Sequence, residues 1–170
     1  MGTDGKPVYQ KEGRLIDAGH TMESLWFSMY AGEVLGTDEY RIRAGEILDW
    51  VIDRCYDEEN EGFIQTADVD GGKPEEEFCI VDYSGFPAAW DSKIWWVQAE
   101  GLNALFMSAV FNENERHFQY FKRLYEYTER YFRDPQYGEW YAILDRKGNI
   151  ICDKKGFELK GPYHIPRCLM

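Results

Sequence analysis

Lys93-Ile94-Trp95-Trp96-Val97-Gln98-Ala99-Glu100 sets the period on which the fold reading turns. Lys93, Trp96 and Glu100 stand at i, i+3 and i+7, one face of a helix, while Trp95, Ala99 and Leu102 point elsewhere, toward a core. The helix is expected to start near Asp91 or Ser92 and to continue through Leu105, Phe106 and Ala109. A second helix follows from Asn112 or Asn114. It carries Phe118, Phe121, Leu124, Tyr125, Thr128 and Phe132, and stops at Asp134-Pro135 because the residue before a proline resists helical backbone. Upstream lies a matching pair. One helix spans about 19–34 with Leu25, Trp26 and Met29 on its apolar stripe. The next starts near an Asp38 cap and repeats Ala44, Ile47, Leu48, Val51, Ile52 and Cys55 at helical spacing.

Each pair is followed by a strand–turn–strand signal. The stretch from Glu61 to Asp68 turns at Asp70-Gly71-Gly72-Lys73 and is expected to return through Phe78-Cys79-Ile80-Val81. The stretch from Tyr137 to Leu144 turns at Arg146-Lys147-Gly148-Asn149 and returns through Ile150-Ile151. The unit is therefore helix, helix, hairpin, with His20 and Lys93, 73 positions apart, each near a unit start. Such units bury their faces against neighbours, so the expected class is all-α with small β-hairpins, a solenoid or a closed helical toroid. Two units and a tail do not close a ring, and the segment from about Gly156 reads as the entry to a third. Residues 1–170 are read as a single domain, with about 1–14 irregular.

Composition excludes several classes. With 44% hydrophobic and 29% charged residues, the chain reads as globular, not disordered. Net charge is −12, which argues against nucleic acid and anionic membrane, because phosphate contacts need a basic surface. No apolar run approaches the roughly 20 residues of a membrane span, and Met1-Gly2-Thr3-Asp4-Gly5-Lys6 has no apolar segment of a secretory signal. The four cysteines, Cys55, Cys79, Cys152 and Cys168, fit neither a zinc site nor a disulfide scaffold, so reduced thiols in a cytoplasmic chain are expected.

Three clusters carry candidate chemistry. His20 and Glu23, three apart at a helix start, share a face, where a carboxylate orients an imidazole; a surface ion pair at a capped helix fits the same spacing. Trp96, flanked by Lys93 and Glu100, offers a ring for a sugar to stack on with polar groups at its rim; a half-buried Trp beside an exposed ion pair fits equally. His164, between Pro162 and Pro166, sits on a stiff irregular segment, with Arg167 three positions on. His117, mid-helix in the amphipathic pattern, reads as structural, and Glu75-Glu76-Glu77 as a solvated turn.

Taken in order, Gly19-His20-Thr21-Met22-Glu23, then Lys93-Ile94-Trp95-Trp96-Val97-Gln98-Ala99-Glu100, then Gly138-Glu139-Trp140, then Tyr163-His164-Ile165-Pro166-Arg167 resemble the N-acylglucosamine 2-epimerase family, in its carboxy-terminal half. The resemblance covers roughly 17–170. Cellobiose 2-epimerases and related sugar isomerases share a looser version. The resemblance implies part of an (α/α)6 barrel with the site at its mouth. It implies interconversion of N-acyl-D-glucosamine and N-acyl-D-mannosamine by proton abstraction at C2 through an enediolate. The family's two catalytic histidines fall on His20 and His164, and its supporting carboxylates on Glu23 and Glu100; Lys93, Trp96 and Arg167 become substrate-binding candidates. Imidazole suits a proton exchanged at neutral pH, and cations such as Arg167 or Lys93 suit a developing enediolate. No metal and no cofactor are required, and ATP stays open as an activator that is not consumed.

The resemblance leaves the family's amino-terminal half and final helix unmatched. Apolar helix faces are then expected to be exposed, for a second copy or a partner chain supplying the missing half-barrel. Two other readings stay open: a truncated, non-catalytic interaction module of the same fold, since the family includes proteins described as renin-binding, and a cellobiose 2-epimerase or aldose–ketose isomerase relative. A glycoside-processing enzyme would need a pair of acidic catalysts, against which the His-centred motifs argue.

Overall fold

A cap explains where the first helix begins. Asp17, in extended backbone, accepts a hydrogen bond from the His20 backbone N–H, and α1 (Ala18–Leu35) runs on to Gly36, whose φ of 66° ends it. The computed structural model describes residues 11–169. The second helix, α2 (Asp38–Cys55), takes Thr37 as its cap residue, so Asp38 is the first helical residue and not the cap; its charge suits the positive helix N-terminus there. Further on, α3 (Trp95–Phe111) starts later than Asp91 or Ser92, because Lys93 and Ile94 are drawn into a strand. Asn114 caps α4 (Glu115–Tyr127), which continues through a π-helical turn, Thr128–Phe132, and stops before Pro135 as expected.

The helices form two layers. α1 packs against both α2 and α3, and α3 against both α1 and α4. The sequence assigns the layers. α3 buries Trp95, Val97, Ala99, Leu102, Ala104 and Leu105 around its circumference, as an inner helix must. α4 buries only His117, Leu124 and Tyr127, as an outer helix does. No helix among the described residues is long and apolar enough to cross a membrane.

One hairpin expectation is corrected. β2 (Thr66–Asp68) does not pair with the segment after its turn. It pairs with β1 (Leu15–Asp17), in the register Leu15↔Asp68 and Asp17↔Thr66. With that edge taken, β3 (Ile80–Asp82) pairs instead with β4 (Pro87–Ala89). The second hairpin is as expected: β6 (Ile143–Leu144) pairs with β7 (Ile150–Cys152), and β5 (Lys93–Ile94) adds to β6 on its other edge. Asp145 closes that turn by accepting from the backbone N–H groups of Lys147 and Asn149, both at 2.8 Å.

These pairings reveal the true repeat. Asp17 opposite Thr66 corresponds to Ile94 opposite Ile143, and the bridge Tyr56↔Phe63 to Arg133↔Trp140. The period is 77 positions, so the 73-residue spacing of His20 and Lys93 joins residues of different rank. At the true period Glu23 corresponds to Glu100, and Asp57 to Asp134. After the second unit, α5 (His164–Cys168) forms a single helical turn packed on α3, where an irregular segment was expected.

The amino-terminal expectation is corrected in part. Residues 1–10 lie outside the described residues, but Lys11–Arg14 form a 3-10 turn, held by Arg14 Nε at 3.0 Å from Asp68. The four cysteines are free thiols. Phe27, Tyr30 and Val34 on α1, and Phe106 and Val110 on α3, are exposed, as expected of unmatched apolar helix faces.

Candidate active site

The amino-terminal ends of α1, α3 and α5 bring His20, Trp96 and His164 together. At their centre is Glu100, whose side chain is fully buried. Its Oε1 accepts from His164 Nδ1 at 2.5 Å and from the Arg167 guanidinium, and its Oε2 accepts from Trp26 Nε1 at 2.7 Å. Burial opposes ionisation of this carboxyl, but the bonds from His164, Trp26 and Arg167 outweigh it and hold the group below its ordinary pKa. A carboxylate can only accept, so the His164 proton sits on Nδ1 and Nε2 is left as the basic nitrogen.

Arg167 ties the two repeats together. Its guanidinium also donates to Glu23 Oε1 at 2.9 Å, so one cation bridges the two equivalent carboxylates. Tyr163 donates its hydroxyl to the same Glu23 oxygen at 3.3 Å. The guanidinium lies 4.0 Å from the Tyr163 ring centroid and 4.8 Å from that of Trp26. Burial works against the Arg167 charge, but the two glutamates raise its pKa above the ordinary arginine value.

His20 sits in a different setting. Its Nδ1 is 2.9 Å from Asp17 Oδ2, and its side chain is 69% exposed. The His20 ring lies 4.8 Å from the Trp96 ring and the His164 ring 5.4 Å from it, so both imidazoles stand against one indole. The packing allows this because residue 19 is glycine: a Cβ there would come within 2.2 Å of the Trp96 ring.

The structure brings together His20, His164, Glu23, Glu100, Trp96 and Arg167, but alters three roles and removes one residue. Glu23 does not pair with His20; Asp17 does, while Arg167 and Tyr163 take Glu23. Trp96 is no open platform, being 8% exposed with its Nε1 donating to Tyr83 Oη at 3.4 Å. Arg167 is engaged within the chain, where its Nη2 donates to both Glu23 and Glu100. Lys93 is corrected outright. It is fully buried in β5, and Nζ donates to Asp57 Oδ2 at 3.2 Å, to the Glu61 carbonyl at 2.7 Å and to the Gly62 carbonyl at 3.0 Å. An ammonium has three donors, and all three are used. Burial pulls the Lys93 pKa down to about 8 against the attraction of Asp57.

Sequence reasoning missed Asp17, Trp26 and Tyr163. Asp17 carried a signal, a capping residue three positions before a histidine. Trp26 lies three positions after Glu23 on the same helix face, but nothing local links it to Glu100, 74 positions on. His117 is structural, as expected. It is the third residue of α4 and not mid-helix, with Nδ1 2.7 Å from Ser108 Oγ and Nε2 3.2 Å from Asp49 Oδ1, and burial lowers its pKa.

Among the described residues, one set of three could offer ligand atoms to a metal, Glu23, Glu100 and His164, with those atoms within 4.8 Å of one another. Arg167 already bridges both carboxylates, so an added cation would meet a guanidinium. The donor set fits an internal ion-pair network better than a metal centre.

The family model described as N-acylglucosamine 2-epimerase (GlcNAc 2-epimerase) matches residues 4–168. The chain belongs to the N-acylglucosamine 2-epimerase family. It is 31% identical over 179 residues to the N-acylglucosamine 2-epimerase of Mus musculus, covering 99% of this chain and 38% of that protein. With the Homo sapiens protein the identity is 32% over 175 residues, covering 97% and 36%. The chain thus spans under two-fifths of the length of the relatives it matches. Among solved structures, a D-mannose isomerase aligns with a TM-score of 0.76 at 21% identity, over 91% of this chain and 36% of that one. The cellobiose 2-epimerase of Bacillus thermoamylovorans aligns at 0.71 and 20% identity, over 92% and 37%. The fold is therefore all-α with small antiparallel hairpins, part of the (α/α)6 barrel of this family.

Proposed function

We propose that this chain carries the proton-transfer site of a sugar 2-epimerase acting on N-acyl-D-glucosamine and N-acyl-D-mannosamine. One observation carries the reading: two imidazoles stand against one indole, each with Nδ1 within hydrogen-bond distance of a carboxylate. With the sugar in open-chain form, one Nε2 takes the C2 proton. The C2–H electron pair moves into the C1–C2 bond, and the carbonyl π pair moves onto oxygen to give the enediolate. The second imidazole, protonated, returns a proton to the opposite face of C2, the carbonyl re-forms, and the configuration inverts. The Glu100–Arg167–Glu23 network fixes His164 in advance, so little reorganisation accompanies transfer.

The reading needs no metal and no cofactor, and ATP enters as an activator that is not consumed, tested by adding it to the assay. Free thiols support a cytoplasmic setting. The exposed apolar edges on α1 and α3 suit further helical hairpins from a second copy or a partner chain, tested by light scattering. Those edges also favour a second reading, a non-catalytic interaction module, which expects partner binding without sugar turnover.

The test is proton exchange at C2 of N-acetylmannosamine in D2O, followed by NMR. Deuterium incorporation that falls about 100-fold or more in His164→Ala supports the reading. Incorporation unchanged in both His164→Ala and His20→Ala overturns the assigned roles.

A further inference from the structure

The environment of His20 carries one assignment beyond the paired histidines. Asp17 uses both of its oxygens on the same residue: Oδ1 accepts the His20 backbone N–H at 3.0 Å, and Oδ2 lies 2.9 Å from His20 Nδ1. Its own backbone is fixed on both sides. Asp17 pairs with Thr66 across β1 and β2, and its carbonyl accepts from Thr21 Oγ1 at 2.7 Å. The carboxylate therefore arrives at the ring from a rigid mount. Glu23, one turn along α1, is engaged by Tyr163 and Arg167, and the third neighbour of the ring, Trp96, is uncharged.

We propose that Asp17 is a positioning residue for His20, fixing its proton on Nδ1 and leaving Nε2 free as the basic nitrogen. In water a neutral imidazole prefers its proton on Nε2, which would turn the wrong atom toward a substrate. With its side chain 69% exposed, His20 has no burial to hold a tautomer, so the Asp17 bond decides it. An exposed contact of this kind adds little to stability. Its value lies in which nitrogen is free. The catalytic consequence rests on the epimerase reading above; the tautomer does not.

The test is the Asp17→Asn variant, read by long-range proton–nitrogen NMR of the 15N-labelled chain at alkaline pH, with His20 assigned through His20→Gln. Asparagine has a single accepting oxygen. If that oxygen keeps the helix cap, the amide NH2 faces Nδ1 and forces it to accept, so the proton moves to Nε2 in an otherwise unchanged fold. The expected result is an Nδ1–H tautomer in the parent chain and Nε2–H in Asp17→Asn. Asp17→Thr, which retains a capping oxygen and offers nothing to Nδ1, should also give Nε2–H and guards against loss of the helix start. A parent chain already in the Nε2–H form, or a tautomer unaltered in both variants, overturns the proposal. In the exchange assay, Asp17→Asn should lower kcat about 100-fold with KM held. A flipped tautomer with exchange at the parent rate overturns the catalytic consequence. No exchange in the parent chain overturns the epimerase reading and leaves the tautomer assignment standing.

Discussion

The two imidazoles do similar chemistry from opposite environments. His164 donates to a fully buried glutamate that also accepts from an indole and a guanidinium, and the site it belongs to joins three helices. His20 bonds to an aspartate three residues away, at an exposed helix start. The first arrangement orders a histidine through partners brought from distant segments; the second orders one through a partner three residues away in the chain. A buried network fails as a unit, because each member left unpaired costs more than the bond was worth. A local pair fails alone.

Removing Glu100 should break this contrast most sharply. Glu100→Ala leaves the Arg167 charge, the His164 N–H and the Trp26 N–H without their shared acceptor, and should cost about 3–5 kcal/mol in denaturant unfolding. A loss below about 1 kcal/mol would mean the network is not what holds α5 to α3. The same carboxyl gives a pH signature. Its folded pKa lies below the ordinary 4.5, so the stability it contributes is present above pH 4.5 and is lost as pH falls through the folded value. Acid unfolding of Glu100→Gln should show a shallower slope below pH 4.5 than the parent chain; equal slopes would assign the acid sensitivity elsewhere.

Gly19→Ala tests the shared wall. The added Cβ drives into the Trp96 ring, and overpacking of this kind costs about 1–3 kcal/mol. Thermal melting and tryptophan emission should both shift; an unchanged emission maximum would mean that the α1 backbone gives way and the indole stays in place. Asp17→Ala should cost about 1 kcal/mol, the worth of a helix cap. A cost comparable with that of Glu100→Ala would erase the distinction between the two settings. His20→Gln should be smallest, within about 0.5 kcal/mol by denaturant midpoint, as for an exposed side chain away from the core.

Much of the helical frame is legible in the chain. Apolar residues at helical spacing locate α1 to α4 to within a few residues, and Asn114 and Pro135 mark the limits of the last. The strand pairings are less so. β1 and β2 are about 50 residues apart, and no local pattern distinguishes that pairing from a hairpin closed at Gly71-Gly72. Lys93 shows the limit most plainly. Its spacing to Trp96 and Glu100 fits a helix face, yet pairing of β5 with β6 pulls it out of the helix and into a buried bond with Asp57, 36 positions back.

By itself the sequence determined the residue types at the site, two of the three helices that mount them and the order of the motifs, because these depend on contacts within a few turns of chain. Only the tertiary structure decided which acid serves which imidazole. Glu23 and Asp17 each stand three positions from His20, but Arg167 arrives from 144 positions away to take Glu23, and Asp17 at the helix cap takes the imidazole. Helical periodicity places side chains on a face; it does not choose between the partners that distant segments bring to that face.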